Sequence, residues 1–197
     1  MRRPFAVLVA AAAALALSTG TAQARANAAA EPVGSIVDTA IAVSGTDGPD
    51  ADHSDYDLLI AALTATGLAA TLDDESATFT VFAPNDAAFL RLVTDLTGSQ
   101  PESEQAALDA ILATFDVPTI TDILLYHVVA GEALGFVDVL RSRSLEMANG
   151  GTVRPRGVNL RDETDTLIDP RIVLRSSNIR TTNGVIHTIN RVLVPAL

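Results

Sequence analysis

Chemistry at neutral pH needs a nucleophile, a base or a metal ligand, and this chain offers few. Histidine occurs three times, at His53, His127 and His187, each more than fifty residues from the next, and cysteine does not occur. Disulfides, thiol catalysis and thiolate metal sites are therefore excluded. A zinc hydrolase places two histidines one helical turn apart with a glutamate between them, and this spacing is missing. Serine hydrolysis needs a nucleophile held by a base and an orienter, and there is no Gly-x-Ser-x-Gly elbow. A glycosidase needs two carboxylates across a cleft. Among 24 acidic residues many pairs arise by chance, so spacing alone singles out none, Asp50-x-Asp52 included.

Two stretches still concentrate polar chemistry. Ser44 to Asp57 holds five aspartates and His53. An EF-hand loop wants Gly at its sixth position and Glu at its twelfth. Counted from Asp50, those positions are Asp55 and Ala61, so the stretch reads as a solvated loop without a metal. The second stretch is Thr121 to Glu132, T-D-I-L-L-Y-H-V-V-A-G-E, where Tyr126 and His127 sit side by side inside an apolar run. A tyrosine there buries its ring and finds a partner for its hydroxyl. A buried histidine is neutral and hydrogen-bonded. The pair is therefore either a lock within the core or a contact device.

The elements that must hold these residues follow from period and punctuation. Gly34 to Ala42 reads as a short helix with Ser35 as N-cap and Asp38 closing a capping box. A capping-box-like Ser54-Asp55-Tyr56-Asp57 opens a helix over 55–66, with Gly67 as its stop. Thr78 to Ala83 alternates and is β-prone. Pro84 ends that strand, and Asn85 or Asp86 caps a helix whose face carries Phe89, Leu92, Val93 and Leu96. Leu108, Ile111, Leu112 and Phe115 mark another helix, and Pro118 breaks the chain. Thr119-Ile120-Thr121-Asp122 is a further capping box, opening a helix toward Tyr126, with β character from His127 on. Beyond Gly131, Phe136 to Leu140 makes a turn or two of helix. Turn signals then crowd at Asn149-Gly150-Gly151, Arg156-Gly157 and Asn183-Gly184, between short strands of which 171–174 and 185–194 are clearest. Asn183-Gly184 is the strongest hairpin signal. Helices first and strands afterwards predict an α+β fold.

The N-terminus has a separate logic. Met1-Arg2-Arg3, an apolar run from Phe5 to Leu17 and Ala22-Gln23-Ala24 have the layout of a secretory signal peptide over 1–24, cleaved after Ala24. Arg2-Arg3-Pro4-Phe5 partly resembles a twin-arginine signal. Residues 25–33 read as a flexible lead-in and 34–197 as one domain. The run falls short of the ~20 apolar residues of a membrane span, so no membrane insertion is expected after cleavage. The chain has 13 basic and 24 acidic residues, and two arginines leave with residues 1–24, so the remainder carries 11 − 24 = −13. Nucleic acid is a poor partner for such a surface. All basic residues are Arg, which with the many alanines suggests a GC-rich bacterial genome.

Three stretches in order resemble the fasciclin domain family. Thr78 to Leu90, T-F-T-V-F-A-P-N-D-A-A-F-L, resembles its first signature; Leu124 to Val129, L-L-Y-H-V-V, its Tyr-His motif; Asn183 to Pro195, N-G-V-I-H-T-I-N-R-V-L-V-P, its closing signature. Ser35 to Asp38 and Gly67-Leu68 also sit where the family has them, so the resemblance spans about 34–196. It implies two packed β-sheets forming a wedge, with several helices covering one side. It implies an extracellular, periplasmic or cell-surface setting, cell adhesion or matrix organisation, no catalysis, no cofactor, and a cell-surface or matrix protein or glycan as partner. By resemblance the adhesion candidates are Asp122, Ile123, Tyr126 and His127. The Ser44–Asp57 stretch and the Asp162–Pro170 loop exceed a minimal domain, and no Arg-Gly-Asp is present. An exported enzyme of unrecognised chemistry and a small-ligand carrier are the alternatives.

Overall fold

The computed structural model describes residues 34–45 and 48–196; the signal-peptide and lead-in readings fall outside them. The described chain is α+β with two sheets. Seven helices are α1 (Ile36–Ser44), α2 (Asp57–Thr66), α3 (Ala69–Leu72), α4 (Asp86–Thr97), α5 (Glu104–Thr114), α6 (Val117–Leu125) and α7 (Phe136–Arg141). Seven strands are β1 (Phe79–Pro84), β2 (Val128–Ala130), β3 (Leu145–Glu146), β4 (Thr152–Arg156), β5 (Asn159–Arg161), β6 (Ile172–Thr181) and β7 (Gly184–Ile189).

The larger sheet has the order β2-β1-β7-β6 and the smaller β3-β4-β5. Helices do precede most strands, but the sheet is not confined to the second half. β1 lies centrally, parallel to β7 in the register Phe79↔Gly184 to Pro84↔Ile189. Every residue of both strands is buried, as a pair covered on both faces requires. Phe79, Val81 and Ala83 join the core built with α1 to α6, while Phe82 points into a second core with Tyr126, Val153, Leu160 and Ile189. The second core fills the space toward the smaller sheet. Backbone bonds from Leu160 N–H to Pro170 O and from Ile172 N–H to Val158 O, both 2.8 Å, tie the two sheets together.

Several boundaries differ from the sequence reading. Ser35 caps α1 as expected. The N-cap of α2 is Tyr56, which gives no side-chain cap. Instead the Asp86 carboxylate, from α4, accepts from the N–H groups of Asp57 and Leu58 at 3.0 and 2.9 Å. The cap of α6 is Asp116, accepting from Thr119 N–H at 3.0 Å. Pro118 thus opens α6 rather than breaking the chain, since the first turn of a helix has no use for its missing N–H. Leu96 and Leu112, expected on buried faces, are exposed. β7 stops at Ile189 rather than running to Val194.

The β6–β7 hairpin exists, but Thr181 pairs with Gly184, so its turn is Thr182-Asn183. Neither Asn183 nor Gly184 has positive φ. Gly184 answers a different need: a methyl there would run into the Phe79 carbonyl oxygen. Asn183 is a buried clamp, accepting from Ile36 N–H at 2.9 Å and donating to Leu72 O at 2.8 Å.

Candidate functional site

The helix α6 delivers Tyr126 and His127 to the seam between the two cores. Tyr126 is its C-cap, and the chain turns directly into β2. The Tyr126 ring is fully buried, and its hydroxyl donates to Thr152 O at 2.9 Å on β4 of the smaller sheet. Gly151 makes room for it; a Cβ there would lie 2.7 Å from Tyr126 Cε2. Burial, with the negative charges of Glu163 and Asp162, raises the phenol pKa well above its usual range.

His127 is buried and engaged at both nitrogens. Nδ1 lies 2.7 Å from Ile123 O and Nε2 2.9 Å from Leu193 N. A carbonyl only accepts and a backbone N–H only donates, so the proton sits on Nδ1 and Nε2 accepts. The neutral ring alone satisfies both. Burial lowers its pKa to about 4, with the Ile123 bond opposing. His187 repeats the logic in mirror form. Its Nε2 lies 3.0 Å from Leu134 O, and Nδ1 accepts from Asn178 N–H at 3.3 Å. Its ring stacks on Phe82, 5.7 Å between centroids, and burial lowers its pKa.

Ile123 is buried, and Asp122 is half-buried with Oδ1 accepting from Asn149 Nδ2 at 3.2 Å. Of the four adhesion candidates, Asp122 is thus the one with accessible surface. Ile123 does line a surface groove of about 400 Å³ with Leu92, Leu96, Phe115, Leu167 and Val194. Leu96 and, beside Leu92 and Leu167, Ile168 expose large apolar side chains at its edge. A separate cavity of about 150 Å³ lies under α1, α2 and α3, lined by Ile36, Leu59, Leu63, Leu72, Val81 and Ile186 among others.

The Asp-rich stretch is an exposed loop over residues 50–54, as its composition suggests, but its end is drawn inside. Asp55 and Asp57 are buried; the Asp55 carboxylate meets those of Asp86 and Glu104, and Asp57 N–H donates to Asp86. No local spacing could show this, because Asp86 and Glu104 come from the starts of two later helices. Their joint signal in sequence is only that each follows an N-cap residue, Asn85 and Ser103.

The family model described as Fasciclin domain matches residues 54–195. Among solved structures, the chain is similar to a FAS1 domain pair from the insect cell adhesion molecule fasciclin I, at 15% identity and a TM-score of 0.57. The match covers 83% of this chain and 51% of that one, so the chain spans about half the length of the pair. At this identity the likeness establishes the fold. No curated protein matches the chain.

Proposed function

The chain belongs to the fasciclin domain family, and on that premise we propose that it is a non-catalytic binding module of the cell surface or extracellular matrix. Its partner is a surface or matrix protein or glycan, and residues 1–24 direct its export. The observation that carries this reading is the state of the polar groups in the motif region. Both nitrogens of His127 and of His187, and the hydroxyl of Tyr126, hold backbone groups, three of them in distant segments at Thr152, Leu134 and Leu193. Groups held this way are poor proton carriers and good locks. Contact with a partner then uses exposed surface, and the apolar rim at Leu96 and Ile168, next to Ile123, is the surface we assign to it. Among the described residues no helix is long and apolar enough to cross a membrane.

Attachment of cells to surfaces coated with the purified protein tests this. The wild type should retain cells, Leu96→Asp with Ile168→Asp should not, and Tyr126→Phe should. Retention no better than that of an unrelated acidic protein would refute the adhesive role. Full retention by the double variant would refute the assigned surface. N-terminal sequencing of exported protein should begin at Arg25.

The cavity under α1 to α3 favours a second reading, carriage of a small apolar ligand. A cavity of about this size with an apolar lining stays dry and takes up a benzene-sized molecule. Native mass spectrometry of freshly purified protein, showing either a retained mass or the bare chain, decides it.

A further inference from the structure

The charges of this chain are segregated along it. Residues 34–140 hold 18 acidic residues and one arginine, Arg91, whereas residues 141–197 hold nine arginines and five acids. Four of those arginines share one face. Arg154 and Arg156 stand two apart on β4, Arg161 lies on β5, and all three are exposed. Arg154 is the cross-strand partner of Arg161, and Arg156 that of Asn159. Asn159 pairs in turn with Arg171, just before β6, and both are exposed. Directly opposed residues of an antiparallel pair point to the same side. The face therefore carries a pair, Arg154 with Arg161, beside a row, Arg156-Asn159-Arg171. The alternate residues Val153 and Leu160 are fully buried in the second core, which turns the arginines outward.

This arrangement is unfavourable by itself. Directly opposed side chains have Cβ atoms about 4.5–5.5 Å apart, and like charges there are destabilising. Arg161 Nη2 reaches Asp165 Oδ1 at 3.3 Å, but that side chain is 91% exposed and such pairs hold weakly. Among the described residues Arg154, Arg156 and Arg171 form no salt bridge. The acids of this side gather at its Thr152 end. Glu146 is the cross-strand partner of Thr152, and Glu163 accepts from Thr152 N–H at 2.8 Å. Asp169, two residues before Arg171, is half-buried.

We propose that this face binds an anionic polysaccharide, with Arg154, Arg156, Arg161 and Arg171 holding its carboxylate or sulfate groups. The proposal rests on the reading of the chain as a binding module with a surface or matrix partner, and adds a second surface to the apolar rim. A guanidinium presents a planar fork that matches such oxyanions two bonds at a time. An anion between Arg154 and Arg161 relieves their mutual repulsion. Asn159, set between Arg156 and Arg171, offers an amide to sugar hydroxyls. The acidic half of the chain does not cancel this attraction, because fields between exposed charges decay over about 8 Å at physiological salt.

Other polyanions fit less well. Single-stranded nucleic acid is held by aromatic side chains on which its bases stack, and none stands among the exposed residues of β4 and β5. A duplex, with one charge per about 1.7 Å, or a plane of anionic lipid would also press on Glu146 and Glu163. A single polysaccharide strand can follow the arginines and leave those acids in water.

The test is biosensor binding of the purified protein to immobilised heparin, for sulfate, and polygalacturonate, for carboxylate, with neutral dextran as the blank. The wild type should bind at least one of the two polyanions despite its net negative charge, and added salt should weaken binding steeply. Arg156→Gln with Arg171→Gln should weaken it at least about tenfold. Arg156→Lys keeps the charge without the fork, and should fall between the wild type and Arg156→Gln. Arg180→Gln removes the same charge further along β6, where Arg180 pairs with Val185 in the larger sheet, and should leave binding unchanged. Should a variant fail to fold, hydrogen exchange of the wild type decides, since added polysaccharide should slow the amides of β4 and β5 and leave those of α2 unchanged. No binding by the wild type, an equal loss with Arg180→Gln, or equal binding to single-stranded DNA or anionic vesicles would overturn the proposal. Cell retention without polysaccharide binding would refute this face and leave the module reading. Polysaccharide binding without cell retention would refute the adhesive role and support this face.

Discussion

Acid should weaken this fold through His127, and the size of the effect follows from the ring's two hydrogen bonds. The neutral ring donates from Nδ1 to Ile123 O and accepts at Nε2 from Leu193 N–H. A second proton on Nε2 would face another N–H, in a site closed to water. Burial accordingly lowers the pKa from 6.5 to about 4. A depressed folded-state pKa means that the unfolded chain binds the proton more tightly. The stability this provides is fully present above the unfolded value and is lost as pH falls through the folded one. Between about pH 7 and about pH 4.5 the loss comes to roughly 2.5 kcal/mol, at about 1.4 kcal/mol per unit of pKa difference.

Other groups titrate in the same range. Asp162, whose pKa burial raises to about 6, and Asp86 act in the opposite sense, since their contribution is lost as pH rises. The informative quantity is therefore a difference. Urea unfolding of the wild type and of His127→Asn at both pH values gives it. The variant keeps a donor near Ile123 O but orphans Leu193 N–H, so its baseline should fall by about 1–3 kcal/mol. Its stability should then decline less in acid than that of the wild type, by about 2.5 kcal/mol. Parallel declines would show that His127 is not held neutral, and the tautomer argument would fail.

Three further substitutions probe the packing. Tyr126→Phe loses one bond to Thr152 O and should cost about 1 kcal/mol by urea unfolding; no loss at all would mean that water already serves that carbonyl. Phe89→Ala should cost about 3–5 kcal/mol, because Phe89 is buried in the helical core; a cost below about 1 kcal/mol would mark an exposed residue. Gly184→Ala forces β7 away from the Phe79 carbonyl and should cost about 1–3 kcal/mol or more, with hydrogen exchange rising first along β1 and β7; unchanged exchange there would refute the close approach.

The fold class, most helices and the three motif stretches could be read from the sequence because each rests on local pattern. Ser35 with Asp38 made a capping box in sequence and makes one in the structure. Several of the failures share one physical cause, a partner far away in the chain, while the start of α6 was decided by a nearer competing cap. Thr119 to Asp122 has the spacing of a cap, but Asp116 lies one turn earlier and Pro118 fits the first turn, so the helix starts there. Asp55 and Asp57 look like a cap with a solvated approach. Asp86, about thirty residues on, takes over the capping and draws both inside. Asn183-Gly184 has the composition of a two-residue turn, yet Gly184 is set by Phe79 and Asn183 by α1 and α3. Leu96 has the period of a buried position, but it is exposed.

The same long-range bonds give the motif residues a structural task. In the first stretch Asp86 caps a helix that begins twenty-nine residues earlier. In the second, His127 holds Leu193 and Tyr126 holds Thr152. In the third, Asn183 clamps Ile36 and Leu72 while His187 holds Leu134 and Asn178. Each is a polar side chain, buried, bonded to backbone in an element distant in sequence. Buried polar groups of this kind admit few substitutes, because a replacement must fill the space and also satisfy the same donor or acceptor. They therefore mark a family by the way its segments are joined. Recognition of a partner needs accessible atoms, and the surface we propose for it offers them on Asp122, Leu96 and Ile168, outside or at the rim of the stretches that make the fold recognisable.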